Sequence, residues 1–183
     1  MSGASGAIYG VHLLQILKRA GIETHLVISN AAKITLALET DYKLQDIKKL
    51  ADVVYGTDDI SASISSGSFY TSGMIVCPCS MRSLAEIASG STQSLLTRAA
   101  DVVLKERRRL VLVARETPLH LGHLRSMTAV TEMGAIVYPP VPAMYARPGT
   151  IDEMIDHTVG RVLDLFDIEA GTVRRWRQDP QGP

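Results

Sequence analysis

Apolar positions follow two rhythms along the chain. Ile8, Val11, Leu14 and Leu17 recur at three-residue steps, and Leu13 and Ile16 widen the stripe, which predicts an amphipathic helix through Ala20. Residues 23–29 read as a strand with Ser29 at its carboxyl end, followed by a weaker helix over residues 31–38 and another over residues 44–51. Residues 73–78 form a second apolar run, predicted as a buried strand, and Leu95, Leu96, Ala99, Val102 and Val103 mark a long helix over residues 92–106. Leu110 to Ala114 is continuously apolar and rich in β-branched residues, as a strand covered on both faces must be. It should stop just before Pro118, which has no N–H to give a ladder. A helix over residues 122–133, a strand over 135–138 and a helix over 151–166 complete the pattern. Strand and helix alternate without internal repeat, which predicts a single α/β domain over residues 1–183, a doubly wound three-layer sandwich on a parallel sheet, with a tail from about residue 170.

The punctuation carries the candidate chemistry. Gly3-Ala4-Ser5-Gly6 opens the first helix, and glycine there lets an anion approach helix amides closely. Such a loop normally follows a strand, yet only Met1 and Ser2 precede it, so a normally central first strand is expected to be missing. Residues 56–68 are small and polar, with five serines between Ser61 and Ser68; an ordered loop reaching the ligand edge is expected rather than a linker. Ser80 is placed to cap a helix whose first turn holds Arg82, an anion-binding arrangement or simply a capped helix. Arg115 and Glu116 follow the 110–114 strand, at the edge where open α/β sheets bind ligands, although a strand-end ion pair accounts for them equally well. Pro139, Pro140, Pro142 and Pro148 stiffen a loop that aims Tyr145, and Arg161 lies amid the apolar residues of the last helix. The tail Val173-Arg174-Arg175-Trp176-Arg177 either packs on a neighbouring subunit or forms a terminal helical turn.

Charge and cysteine content narrow the function classes. Nineteen basic residues balance nineteen acidic ones, so no global field favours nucleic acid or an anionic membrane. The basic run Lys105 to Arg109 complements a helix dipole. Cys77 and Cys79 are too close in sequence for a framework disulfide and are expected to be small core residues in a reduced, cytoplasmic setting. No apolar run is long enough to span a bilayer, and no signal-peptide pattern is visible. His120 and His123 are three apart, but no third ligand is placed to complete a metal site, so no metal is expected.

Four stretches stand together: Gly3-Ala4-Ser5-Gly6, the segment Pro78-Cys79-Ser80-Met81-Arg82-Ser83, the segment Arg98-Ala99-Ala100-Asp101-Val102 running on to Lys105 and Arg107, and Arg115-Glu116-Thr117-Pro118-Leu119. With Ser66 to Phe69 and the Pro142/Tyr145/Pro148 loop, they resemble the UbiX-type flavin prenyltransferases, including the branch that accompanies phenolic-acid decarboxylases, over nearly the whole chain. The resemblance implies a Rossmann-like flavoprotein that binds FMN and transfers a dimethylallyl group from dimethylallyl monophosphate to N5 and C6 of reduced FMN. It also implies delivery of the prenylated flavin to a UbiD-type decarboxylase, a dodecamer with sites between subunits, and no metal.

Residue by residue, the resemblance implies that Gly3, Ala4, Ser5, Ser29, Ser80, Met81, Arg82, Ser83 and Arg115 hold FMN. It implies that Arg98, Lys105, Tyr145 and Arg161 bind the substrate phosphate, where fixed cations and a hydroxyl stabilise the charge that develops as the allylic C–O bond breaks. Glu116 matches the acid/base glutamate, near Lys105, and Glu39 a second acidic position. Phe69 stands at an aromatic position that shelters an allylic cation. Met144, where many members carry an aromatic, and His123-Leu124-Arg125-Ser126-Met127 depart from the family pattern. Two other readings are a flavin-dependent cysteine decarboxylase, whose Pro-x-Met-Asn-x-x-Met-Trp pattern is absent, and a non-catalytic FMN carrier or accessory subunit of a decarboxylase.

Overall fold

A computed structural model describes residues 1–177; residues 178–183 of the expected tail lie outside the described residues. Strand β4 (Arg109–Ala114) is the centre of the packing. Its side chains alternate between two cores: Leu110, Leu112 and Ala114 join one cluster, Val111 and Val113 the other. That alternation is why the run is apolar at every position, and burying each Val or Leu contributes about 1.5–3 kcal/mol. The first cluster is closed by α4 (Met81–Ala88), α5 (Leu95–Lys105) and α6 (Leu121–Glu132), and the second by α1 (Ala7–Arg19) and α7 (Ile151–Asp164). Helices therefore cover both faces of a parallel sheet, the three-layer architecture expected.

The strands run parallel throughout. Strand β3 (Gly73–Cys79) pairs with β4, and β4 with β5 (Ile136–Val137). A second, two-stranded sheet pairs β1 (His25–Val27) with β2 (Val53–Tyr55). The ladder between β3 and β4 shifts register between Val76 and Cys79, around Pro78, which lacks a donor. Cys77 and Cys79 are buried, free thiols in this strand.

The two sheets do not pair with each other, and an apolar cavity of about 660 Å3 lies between the facing edges of β1 and β3, with Leu13, Leu14 and Leu17 of α1 on one side and Leu96 and Val103 of α5 on the other. Met1 and Ser2 bridge it. The Met1 ammonium donates to the Val27 carbonyl at 2.8 Å, Ser29 N–H donates to the Met1 carbonyl at 3.1 Å, and Ser2 N–H donates to the Pro78 carbonyl at 3.1 Å.

Several boundaries move for local reasons. Helix α5 begins at Leu95 because Ser94 and Thr97 form a reciprocal capping box. Helix α2 (Asn30–Glu39) starts at the Ser29 cap and runs one residue beyond the expected end, so Glu39 is its last residue. Strand β2 was not expected; helix α3 (Leu44–Lys48) is shorter than expected. The serine-rich segment is ordered, with a 3-10 turn at Ser63–Ser65, but only its start lies near the ligand edge, where Leu95 N–H donates to the Thr57 carbonyl. It then runs back along α5 toward the amino edge.

Candidate active site

Loops at the carboxyl edge of the sheet assemble the predicted flavin-binding residues. Ser80 N–H donates to Ser2 Oγ at 2.8 Å, which ties the first loop to the start of α4. Arg115 N–H donates to the Cys79 carbonyl at 3.1 Å, which sets Arg115 and Glu116 beside Ser80. Ser29 and Ser80 cap α2 and α4, each accepting from the third amide of its helix. The first two amides of each helix, at Asn30 and Ala31 and at Met81 and Arg82, donate to no protein acceptor among the described residues. Two helix N-termini with free amides, closed off by the Gly3 loop and an exposed Arg115, suit a phosphorylated ligand. FMN fits these residues by donor chemistry. Met81 is half-buried against the core, whereas Arg82 is exposed and paired with Glu86 on its own helix.

Helix α1 shows how this edge handles an anion. Gly6 adopts φ +95° and offers no side-chain cap, so the first amides of α1 need another acceptor. The Glu39 carboxylate supplies it, accepting from Gly6 N–H at 2.8 Å and Ala7 N–H at 3.0 Å. Partial burial raises the energy of that carboxylate, but the Ala7 amide, the Ser5 hydroxyl, the Gly6 amide and the Arg115 charge outweigh it and hold its pKa below the ordinary value. Glu116 is exposed, with Oε1 accepting from Thr117 N–H at 3.1 Å.

The predicted phosphate-binding residues fall in two other places. Arg98 donates to Asp101 at 2.7 Å and to the Ser65 carbonyl at 3.2 Å, and Lys105 pairs with Glu106. Phe69 lies edge-on to His25 with ring centroids 5.3 Å apart. Arg108 was read as complementing the α5 dipole; instead its guanidinium donates to the carbonyls of Phe69 at 2.7 Å and Gly67 at 2.8 Å, which fixes the loop. The third group is Tyr145, in a 3-10 turn at Met144–Ala146, with Arg161 and Asp164 of α7.

Within one protomer the group at Lys105 does not meet Glu116. Lys105 precedes β4 and Glu116 follows it, so they lie at opposite ends of a six-residue strand, about 20 Å at the usual rise. The expectation of Glu116 near Lys105 therefore fails inside a single chain. The physical reason is topological: a helix antiparallel to the next strand ends where that strand begins. His120 and His123 stack at 3.6 Å, and His120 Nδ1 accepts from the amides of Gly122 and His123, capping α6. No group of three or more His, Cys, Asp or Glu among the described residues is arranged to hold a metal ion.

An open parallel sheet with phosphate-suited loops at its carboxyl edge describes a nucleotide-binding protein, and residues 1–175 match the family described as Flavoprotein. The flavin prenyltransferase UbiX of Thauera aromatica is 56% identical over 176 residues, spanning 96% of this chain and 91% of the relative. UbiX of Escherichia coli strain K12 is 62% identical over 169 residues, 92% of this chain and 89% of the relative. The chain belongs to the UbiX flavin prenyltransferase family. A crystal structure of AnUbiX (PadA1) in complex with FMN and dimethylallyl pyrophosphate matches with a TM-score of 0.95 at 54% identity, covering 97% of this chain and 94% of that one. A dodecameric FMN-dependent UbiX-like decarboxylase from Escherichia coli O157:H7 matches with a TM-score of 0.93 at 50% identity, covering 97% and 100%. The peptidyl-cysteine decarboxylase EpiD, at 18% identity and a TM-score of 0.64 over 91% and 94%, shares the fold alone.

Proposed function

We propose that this chain transfers a dimethylallyl group from dimethylallyl monophosphate to reduced FMN and passes the prenylated flavin to a UbiD-type aromatic acid decarboxylase. The carrying observation is the carboxyl edge, where the Glu39 carboxylate holds the first amides of α1 and the first amides of α2 and α4 stay free, in a backbone that follows AnUbiX at a TM-score of 0.95. Reduced FMN, when bound, supplies nucleophilic N5 and C6. Arg98, Lys105, Tyr145 and Arg161 take up the charge that leaves with the phosphate as the allylic C–O bond breaks. Glu116 serves as the proton relay: N5 and C6 each lose a proton on alkylation, one is returned to the alkene carbon that is not joined to the flavin, and the other leaves with the phosphate. Phe69 offers a π face to positive charge on the allyl group.

The separation of Lys105 from Glu116 across β4 supports a site shared between copies, with Arg98, Lys105 and Phe69 of one chain facing the carboxyl edge of another. Exposed Leu119, Leu121 and Leu124 beside Glu116, and Met144 and Ile151 beside Tyr145, are apolar surface that such an assembly buries. A dodecamer is the proposed assembly, as in the relative of that description. No helix of the described residues is long and apolar enough to cross a membrane. The free thiols support a reduced, cytoplasmic setting.

Mass spectrometry of flavin extracted after anaerobic incubation with reduced FMN and dimethylallyl monophosphate tests the reading. The expected product is heavier than FMN by one prenyl unit. Recovery of unchanged FMN supports a carrier instead, for which the cation cluster has no use.

A further inference from the structure

Asp164 sits between two guanidinium groups. Arg161 donates to its Oδ2 from one turn earlier on α7. Arg175, in the tail, grips both oxygens, with Nη1 at 2.5 Å from Oδ2 and Nη2 at 2.9 Å from Oδ1. The tail is tied down at two further points. Arg174 Nη1 donates to the Ala146 carbonyl at 3.0 Å, and His157 Nε2–H donates to the Arg174 carbonyl at 3.2 Å. Trp176 then lies edge-on to the Tyr145 ring at 5.3 Å, and Tyr145 is edge-on to His157 at 5.8 Å. The tail therefore touches both Tyr145 and the carboxylate that Arg161 uses.

We propose that Arg175 is a positioning residue of the phosphate subsite, and that by occupying Asp164 with a bidentate grip it leaves Arg161 free to turn its charge toward the phosphate of the prenyl donor. The inference rests on the proposed function, because it assumes that Tyr145 and Arg161 meet that phosphate. A carboxylate shared by two arginines leaves one net positive charge; the same carboxylate with Arg161 alone leaves none. Only one N–H of Arg161 is used by Asp164, and its other N–H groups have no protein partner among the described residues. Arg175 fits the bracing role better than lysine, since a planar fork matches both carboxylate oxygens at once. Arg175 and then Arg161 hold the Asp164 carboxyl below its ordinary pKa, against the opposing effect of burial, so the brace is charged at neutral pH. Trp176, the next residue along, packs edge-on against Tyr145.

The test uses the full chain and five forms: wild type, Arg175→Gln, Arg175→Lys, Asp164→Asn and the double variant Asp164→Asn with Arg175→Gln. Wild type must first transfer the prenyl group; if it does not, the functional reading fails and not this one. Given activity, Arg175→Gln should raise KM for dimethylallyl monophosphate about tenfold while kcat falls less and FMN affinity stays at the wild-type value. Arg175→Lys should recover part of that loss. In the Asp164→Asn background, Arg175→Gln should have little further effect, because the carboxylate it braces is gone. Trp176 is the only tryptophan in the chain, so its fluorescence gives an independent readout. Inorganic phosphate should change its emission in wild type, with weaker binding in Arg175→Gln. An unchanged KM in Arg175→Gln overturns the proposal. So does equal loss of donor and FMN binding with a lowered melting temperature in both Arg175 variants, which marks a purely structural tail.

Discussion

Gly3→Ala is the sharpest local test of the flavin-edge geometry. A Cβ on Gly3 would lie 2.3 Å from Ala31 Cβ and 3.0 Å from the Ala31 carbonyl carbon. Carbon atoms settle at about 3.5–4.0 Å, so the first loop and the start of α2 must part by about 1.2 Å. Both neighbours are backbone or a short side chain in a helix, and neither can swing aside. Overpacking of this kind costs about 1–3 kcal/mol in stability. The larger effect should fall on cofactor binding, because a shift near 1 Å misplaces donors that must converge on one ligand. Quenching of flavin fluorescence on titration should therefore show an FMN Kd raised by at least about tenfold, or about 1.4 kcal/mol, with a lowered melting temperature. Gly56→Ala is the control: the nearest atom to its added Cβ is 4.0 Å away, and both measurements should stay at wild-type values. Wild-type FMN affinity and melting temperature in Gly3→Ala would refute the close approach of the loop to α2.

Other consequences follow from the same geometry. Burial pushes the thiols of Cys77 and Cys79 up to about 12, so iodoacetamide at pH 8 should label neither in the native protein and both after denaturation; rapid native labelling would contradict their core position. The Glu39 carboxyl has a folded pKa below its unfolded value. Its contribution to the start of α1 is thus fully present above about pH 4.3 and lost as pH falls through the folded value. An NMR titration should place its midpoint below about 4.3, and a midpoint at or above that contradicts the Gly6 and Ala7 contacts. Tyr145→Phe and Arg161→Ala should weaken the phosphate-bearing donor by tenfold or more and FMN far less; equal losses of both ligands would remove them from the phosphate subsite.

The parts legible from sequence were those set by periodicity and local caps. Leu110 to Ala114 revealed a doubly covered strand because both cores demand apolar residues there. Ser80 announced a helix start, since a capping hydroxyl is a local feature. Strand β2 escaped because its three residues are partly exposed and show no clear period. The spread of the phosphate ligands was legible in principle from the order of α5 and β4, but residue matching alone ignores which edge a position occupies. Asp164 lies three residues after Arg161, a visible helical pair, whereas its bond to Arg175 depends on how the tail folds back. Arg108 looked like one more charge in a basic run; only the path of the serine-rich loop gives its guanidinium the two carbonyls it holds.

Subunit complementation tests the shared site most directly. Lys105→Ala and Glu116→Gln should each bind FMN and each fail to form prenylated flavin. If Lys105 and Glu116 of one site come from different chains, mixed oligomers of the two variants contain some intact sites, and random mixing should restore about a quarter of the wild-type rate. No recovery in oligomers shown to be mixed would place both residues in the same chain's site and contradict the account.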